Sequence, residues 1–260
     1  MNIIVCIKQV PETTEVNIDP ETNTLIREGV TSIINPFDTY AIEEALRIKE
    51  RISAKVTALS MGPPQAEEAL RQAIAMGVDE AILLSDRSFA GADTLATSYT
   101  ISMGISKIGK YNLIICGKQA TDGDTAQVGP GIAEHLNIPC ATFVKKIEKI
   151  ETDKIVVESM KEEGCDVIEM PLPCLITVVK EINEPRLSSL KGMLRAKKQE
   201  IKMWGKSDIG VREGCIGLDG SPTQVIKIFT PPARKGGLIL EGSAKEVTEK
   251  IVSLLKDEVN

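Results

Sequence analysis

The chain has 260 residues, 42% hydrophobic and 26% charged, with 31 Lys+Arg against 37 Asp+Glu for a formal net charge of −6. This is an ordinary soluble globular composition, and the acidic balance with only 3% aromatic residues argues against nucleic acid as a partner. No apolar run reaches the roughly 20 residues of a membrane span. Met1 passes directly into a short apolar strand with no basic leader, so a cytoplasmic protein is expected.

Asn2–Ile7 (NIIVCI) predicts the first strand. The polar stretch after it carries turn residues, with a small hairpin expected around Pro20 to Asn23. Asn35-Pro36 breaks the chain, and Tyr40, Ala41, Ala45, Leu46 and Ile48 recur at helical spacing behind an expected N-cap at Asp38. Lys55–Ser60, Ala81–Ser85 and Asn112–Gly117 predict three more strands, with helices over 62–77, over 93–109 and from near Gln127 to Leu136. Strand, loop and helix repeated in this way form parallel βαβ units.

Beyond Pro139 the runs Ala141–Ile150, Lys154–Ser159 and Val167–Lys180 have strand character, and their short connections predict an antiparallel edge on the same sheet. Lys180 to Met203 holds seven basic against three acidic residues, a local net of +4. That excess reads either as a solvated helix face or as a docking surface. Residues 204–242 are rich in Gly and Pro and predict an extended arm, stable only against a partner. An amphipathic helix over 244–259 ends the chain. The division expected is a nucleotide-binding α/β domain over 1–182, a partner-recognition loop with a basic helix over 183–203, and an arm with a C-terminal helix over 204–260.

Loops leaving the carboxyl ends of parallel strands emerge on one edge, where ligands bind. The loops after the third and fourth strands are long, which points to function. They supply Gly91, Gly117, Gly123, Gly129 and Gly131 for close backbone approach, and Ser88, Thr94, Thr97, Thr121 and Thr125 as donors beside Arg87 and Lys118. Two helix N-termini, near Asp93-Thr94 and near Gln127, are expected to point at the same edge with free N–H groups, an inventory suited to phosphate or pyrophosphate.

Other chemistries lack their motifs. Gly129-Pro130-Gly131 lacks the third glycine of a dinucleotide fingerprint and does not follow the first strand, and Gly104–Lys110 reads as a helix C-cap because Tyr111 replaces the Ser or Thr of a phosphate loop. The six cysteines (Cys6, Cys116, Cys140, Cys165, Cys174 and Cys215) form no C-x-x-C pair and read as reduced packing residues. His135 is the only histidine, so multi-histidine metal sites are excluded, and it reads as a helix-surface residue. Met61, Met76, Met103 and Met160 read as core filler. The residues themselves support an adenine-nucleotide-binding α/β domain without its own nucleophile and with a partner-seeking arm.

K-Q-V-P at Lys8–Pro11, N-P-F-D at Asn35–Asp38 with A-x-E-E-A at Ala41–Ala45, G-K-Q-A at Gly117–Ala120, and N-E-P-R with L-x-x-x-x-x-A-K-K over Asn183–Lys198 resemble the beta subunit of electron transfer flavoprotein. Met160–Gly164 through Pro173–Thr177 also looks like that family's signature. The resemblance implies a Rossmann-like parallel sheet of the adenine nucleotide alpha hydrolase type, and an obligate heterodimer with an alpha subunit that holds a redox-active FAD. It implies nucleotide contacts from Lys8, Gln9, Val10, Pro11, Asn35, Asp38, Ser60, Met61, Gly62, Asp93, Thr94, Thr97, Gly117, Lys118, Gln119 and Ala120, and from Gly123, Asp124, Thr125, Ala126, Gln127, Val128 and Gly129. It also implies docking of a flavin dehydrogenase through Leu190, with Arg186, Lys191, Met193, Arg195, Lys197 and Lys198 around it.

Two subtypes are separated by the loops. The stretch Asp86–Ser98 looks like the electron-bifurcating type, in which this site holds a second FAD that accepts hydride from NADH. Its electrons part between ferredoxin or flavodoxin and, through the alpha FAD, an acyl-CoA dehydrogenase-type enzyme. Conventional members resemble N-Q-T and hold AMP where this chain has Ala126-Gln127-Val128, a substitution that favours FAD. Two further readings compete: a free-standing regulatory protein of the universal-stress type, which leaves the basic segment and the arm unexplained, and an ATP-dependent activating enzyme, whose S-G-G-x-D-S-like loop is missing.

Overall fold

The computed structural model describes residues 1–12, 32–226, 237 and 239–259, in two compact units, Met1–Ile226 and Lys227–Asn260. The expected hairpin near Pro20 lies outside the described residues. In the first unit β1 (Asn2–Cys6) leads to a two-stranded ribbon of β2 (Gln9–Pro11) and β3 (Ser32–Ile34). There follow α1 (Pro36–Ile52), β4 (Lys55–Met61), α2 (Glu67–Met76), β5 (Glu80–Leu84), α3 (Thr94–Ile108), β6 (Leu113–Gly117) and α4 (Val128–Leu136). Then come β7 (Cys140–Ile150), β8 (Lys154–Lys161), β9 (Gly164–Pro171), β10 (Cys174–Val178), α5 (Leu190–Lys198), β11 (Lys202–Trp204) and the single turn α6 (Lys206–Ile209). The second unit holds α7 (Ala244–Val259), whose start is fixed by a capping box between Ser243 and Glu246.

The nine-stranded sheet runs in the order β11-β5-β4-β1-β6-β10-β7-β8-β9. Every pairing from β11 to β7 is parallel, and β8 and β9 run antiparallel at the far edge. One face is covered by α1, α2 and α5 through Ile3, Val5, Ile42, Leu70, Ile74 and Ala196. The other packs Ile4, Leu59 and Ile114 against Tyr99, Ile101 and Ile105 of α3 and Ile132 of α4. No helix among the described residues is long and apolar enough to cross a membrane.

Several expectations need correcting. Helix α1 starts two residues before Asp38, because Pro36 takes the first helical position and Asn35 the cap. The run Val167–Lys180 is two strands: β9 closes the antiparallel edge, whereas β10, buried at all five positions, inserts between β6 and β7 in the parallel sheet. Only a strand covered on both faces reads as an unbroken apolar run, and Cys174–Val178 is one. Residues 204–226, expected as part of the arm, fall within the first unit. Trp204 ends β11 under the Lys107 ammonium, 4.7 Å from the ring centroid. Cys6, Cys116 and Cys174 are buried, but Cys140 and Cys165 are exposed. His135 is exposed on α4 with its ring 5.5 Å from that of Tyr99, Gly109 caps α3, and Met61, Met76 and Met103 pack on the core as expected.

The segment after β10 is bolted to α1. Arg186 Nε donates to Glu43 Oε2 at 2.7 Å, and the Glu43 side chain is 4% exposed. Burial pushes the Glu43 carboxyl up, but Arg186 and Arg47 outweigh it and hold it below the usual carboxylate range. Its contribution is therefore present above the ordinary carboxylate pKa and is lost as pH falls through the depressed value. Arg186→Met leaves the carboxylate buried with one partner fewer. Urea unfolding should show a loss of about 2 kcal/mol at pH 7 that shrinks toward pH 3.

Candidate functional site

The strand order places β4 and β5 on one side of β1 and β6 on the other. The connections therefore diverge at β1 and β6, and a crevice opens above their carboxyl ends. Asn35 closes the floor of this crevice. Its backbone N–H donates to the Lys8 carbonyl at 2.9 Å, its Nδ2 to the Gln119 carbonyl at 2.8 Å, and its Oδ1 accepts from Thr121 N at 3.1 Å. Asp38 Oδ2 accepts from Lys8 N at 2.7 Å beside the Gly117 backbone. The Lys8 ammonium reaches across to Asp122, 2.7 Å away, tying the loop after β1 to the loop after β6. Asn35 and Asp38, expected as direct contacts, thus spend their polar atoms in holding the two loops in register.

The two helix termini differ. Asp93 caps α3, its Oδ1 accepting from Leu95 N and Ala96 N at 3.0 and 3.1 Å, while Oδ2 accepts from Thr223 Oγ1 at 2.8 Å. Hence α3 lacks the free N–H groups expected of it, and Asp93 is a clasp between helix and downstream chain. At α4, Gln127 stands at the cap with no side-chain bond to the helix, so the first N–H groups of α4 are unpaired by any cap. Thr94 Oγ1 donates to Gln127 Oε1 at 3.0 Å, bringing the two termini together, and Thr97 lies one turn further along α3. A Cβ on Gly129 would meet Thr177 Cγ2 at 2.6 Å, so glycine lets α4 sit close over β10. Asp124 and Ala126 both hold φ of 54°, giving the loop before α4 a tightly curled path. Gly123 has no neighbour within 4 Å of where a Cβ would stand, and Thr125 is exposed.

On the β4 side, Ser60 and Met61 end the strand and Gly62 N donates to the Leu84 carbonyl at 3.0 Å. Ser60 Oγ is buried without a hydrogen-bond partner, as is Asn183 Oδ1. A buried hydroxyl left unpaired at the carboxyl end of β4 is one that a polar ligand edge reaching it would satisfy. Gln9 Nε2 donates to the Gln65 carbonyl at 3.2 Å, and Val10 is buried beneath. The orphan hydroxyl and the uncapped α4 terminus fit a ligand with a polar ring at one end and phosphate at the other. Ser88, Asp86 and Asn35 are spent internally; Asn35's role as a clip carries no sequence signal beyond its place before Pro36.

The basic segment also divides. Arg195 Nη2 donates to the Ile74 and Val78 carbonyls at 2.7 and 2.5 Å, satisfying the carboxyl end of α2, and Arg186 is held by Glu43 and Glu50. Both were expected around a partner dock, and their guanidiniums also fasten the segment to the body, Arg195 remaining exposed. The outward face mixes apolar and basic groups: Leu187, Leu190, Met193 and Leu194 are 93%, 71%, 44% and 54% exposed, beside exposed Lys191, Arg195, Lys197 and Lys198.

An open α/β sheet with a polar crevice at its switch point and an uncapped helix above it defines a nucleotide-binding module of the doubly wound class. The electron transfer flavoprotein domain model matches residues 22–209. Among relatives, the electron transfer flavoprotein subunit beta of Thermoanaerobacterium thermosaccharolyticum is 54% identical over 256 residues, covering 98% of both chains. The protein of Acetobacterium woodii named caffeyl-CoA reductase-Etf complex subunit CarD is 52% identical over 260 residues, 99% of both. Protein FixA of Bradyrhizobium diazoefficiens is 45% identical over 262 residues, 98% of this chain and 91% of that one. The chain belongs to the electron transfer flavoprotein family, as a beta subunit. Such subunits pair with an alpha subunit, and the family binds flavin or nucleotide.

Burial dominates the Asp38 carboxyl and pushes it to about 7, against the hydrogen bonds from Asn35, Lys8 and Gly117 that favour its charged form. A raised carboxylate pKa makes the native state bind more protons than the unfolded chain between the two values. Stability from this group therefore falls as pH rises from about 4 to about 7 and levels off above. Asp38→Asn should flatten that slope, as read by urea midpoints at pH 5 and pH 8.

Proposed function

We propose that this beta subunit binds FAD in the crevice between β1 and β6 and serves an electron-bifurcating electron transfer flavoprotein. The observation that carries the reading is the hydrogen bond from Thr94 to Gln127, which sets the starts of α3 and α4 side by side so that both can line one ligand. When bound, FAD would supply the redox chemistry, taking hydride from NADH and passing one electron to ferredoxin or flavodoxin and one through the alpha-subunit FAD to an acyl-CoA dehydrogenase-type enzyme. The chain's own part is to bind and orient. Ser60 offers its hydroxyl to the adenine edge, with Gln9–Pro11, Met61 and Gly62 around it, and Lys118, Gln119 and Ala120 line the β6 side. Gly123–Gly129 and the α4 N–H groups hold phosphate, with Thr94 and Thr97 extending the cradle. The relative CarD, named as part of a caffeyl-CoA reductase complex, supports a reductase partner of the acyl-CoA kind.

The AMP reading retains one specific support: with α3 capped by Asp93, a single phosphate on α4 would be the minimal occupant. The universal-stress and ATP-activating readings are set aside by family membership. Co-expression with the alpha subunit followed by denaturation and a count of released nucleotide separates the two remaining readings. Two FAD and no AMP per heterodimer is the expected result, and one of each would establish the conventional type. Thr94→Val with Thr97→Val should lower flavin retention in the beta site severalfold; unchanged flavin content would remove both residues from the cradle.

The segment around α5 is the proposed dock for the dehydrogenase, with Leu190 its apolar anchor inside a rim of lysines. Leu190→Ala should cost about 2 kcal/mol of partner affinity, seen as a raised KM for the flavoprotein in dehydrogenase assays, with heterodimer melting unchanged. Helix α7, with Ile251, Leu254 and Leu255 exposed, and the chain from residue 204 that leads to it are proposed to pack on the alpha subunit.

A further inference from the structure

Phe143 is the one described residue inside a strand with a left-handed backbone and a side chain, at φ 54°. The other non-glycine residues of that kind sit at helix ends (Ser53 and Asn137) or in the loop before α4 (Asp124 and Ala126). An aromatic residue in this region is strained, and strain persists where the surroundings enforce it. The cause is a slip in register. Ala141 stands opposite Ile176 and Val144 opposite Val178, so β7 carries one residue more than β10 over the same span. The bulge is fixed from both sides, since Phe143 N donates to Thr177 Oγ1 at 3.2 Å and Ser159 Oγ donates to the Thr142 carbonyl at 2.7 Å.

The bulge aims Phe143 at the carboxyl edge of the sheet, where Lys118 leaves β6 with its backbone N–H on the Val178 carbonyl at 2.9 Å. The Lys118 ammonium is 5.4 Å from the Phe143 ring centroid and 5.8 Å from that of Phe37. Phe37 is itself pressed against the end of β6, where a Cβ on Gly117 would stand 2.8 Å from Phe37 Cβ. Two of the chain's four phenylalanines therefore bracket one lysine at the mouth of the crevice. No carboxylate among the described residues pairs with it, whereas Lys8 beside it is neutralised by Asp122. Aromatic faces hold an ammonium in place without cancelling its charge. A carboxylate would have done both.

We infer that Phe143 is a positioning residue whose bulged backbone, with Phe37, holds the Lys118 ammonium uncompensated at the crevice mouth to recognise a phosphate of the bound nucleotide, an inference that rests on the nucleotide reading above. Lys118 thereby distinguishes a phosphorylated ligand from the bare nucleoside, and the Phe143 bulge is retained for that placement.

The test uses the full-chain heterodimer with its alpha subunit, stripped of nucleotide and titrated with adenosine, AMP and ADP by calorimetry. The unaltered complex is expected to bind AMP and ADP more tightly than adenosine. Lys118→Met and Phe143→Ala should each reduce that phosphate-dependent gain about tenfold while leaving adenosine affinity in place, and Phe143→Tyr should restore it. Phe143→Gly separates strain from packing: the gain should be lost while the melting temperature stays level or rises, because glycine adopts this backbone freely. A lowered melting temperature in Phe143→Gly, with adenosine and AMP weakened in the same proportion, would overturn the inference by making the bulge structural only. So would an unchanged AMP-to-adenosine ratio in Lys118→Met. An unaltered complex that binds none of the three ligands would instead overturn the nucleotide reading, whatever the variants do.

Discussion

The polar clip at the join of β1 and β6 is the constraint on which the rest depends. Two neighbouring strands whose helices leave in opposite directions create a crevice, and the backbone groups lining it have no ladder partners left. Asn35 and Asp38 supply those partners, linking Lys8 to Gln119, Thr121 and Gly117. Burying a carboxylate to do so is costly, which is why Asp38 titrates near neutrality instead of in the ordinary acid range. Above the fixed floor stand the uncapped α4, the Thr94–Gln127 bridge and the lysine between two rings.

The same economy of polar groups shapes the segment around α5, the proposed dock. Here the Arg186 guanidinium bonds the acidic face of α1 and the Arg195 guanidinium the bare carbonyls ending α2, Arg195 itself staying exposed. Gly192 permits the approach, since a Cβ there would strike the Ala75 carbonyl. With the arginines so engaged, Leu187, Leu190, Met193 and Leu194 stand exposed beside Lys191, Lys197 and Lys198. A loop anchored in this way spends little ordering entropy when a partner arrives.

Much of the fold was legible because it rests on local rules. The parallel strands through β6 announce themselves as short apolar runs, α3 by Asp93 before it and Gly109 after it, and α7 by its amphipathic pattern. The site was legible at the level of loops: the long stretches after β5 and β6 do converge. The roles within them were not, because whether Asp93 caps a helix or meets a ligand depends on where Thr223 and Ser221 fall, about 130 residues away. Strand β11, three residues long, carries too little periodicity to be seen. The insertion of β10 between β6 and β7 was hidden for a related reason, since adjacency in a sheet leaves no mark on neighbouring sequence.

The sequence by itself determined the class of the protein: an α/β nucleotide module with a basic segment, and the motifs that mark it as an electron transfer flavoprotein beta subunit. These follow from residue types at short spacing, where propensity, capping and turn chemistry act. Only the tertiary structure decided which polar groups are spent and which are available. Asn35, Asp38, Asp93, Arg186 and Arg195 have hydrogen-bond partners within the fold, while the buried Ser60 hydroxyl has none and the first turn of α4 has no side-chain cap. That division is set by contacts between elements far apart in the chain, because burial removes water as a partner and leaves each group to whatever the fold brings beside it.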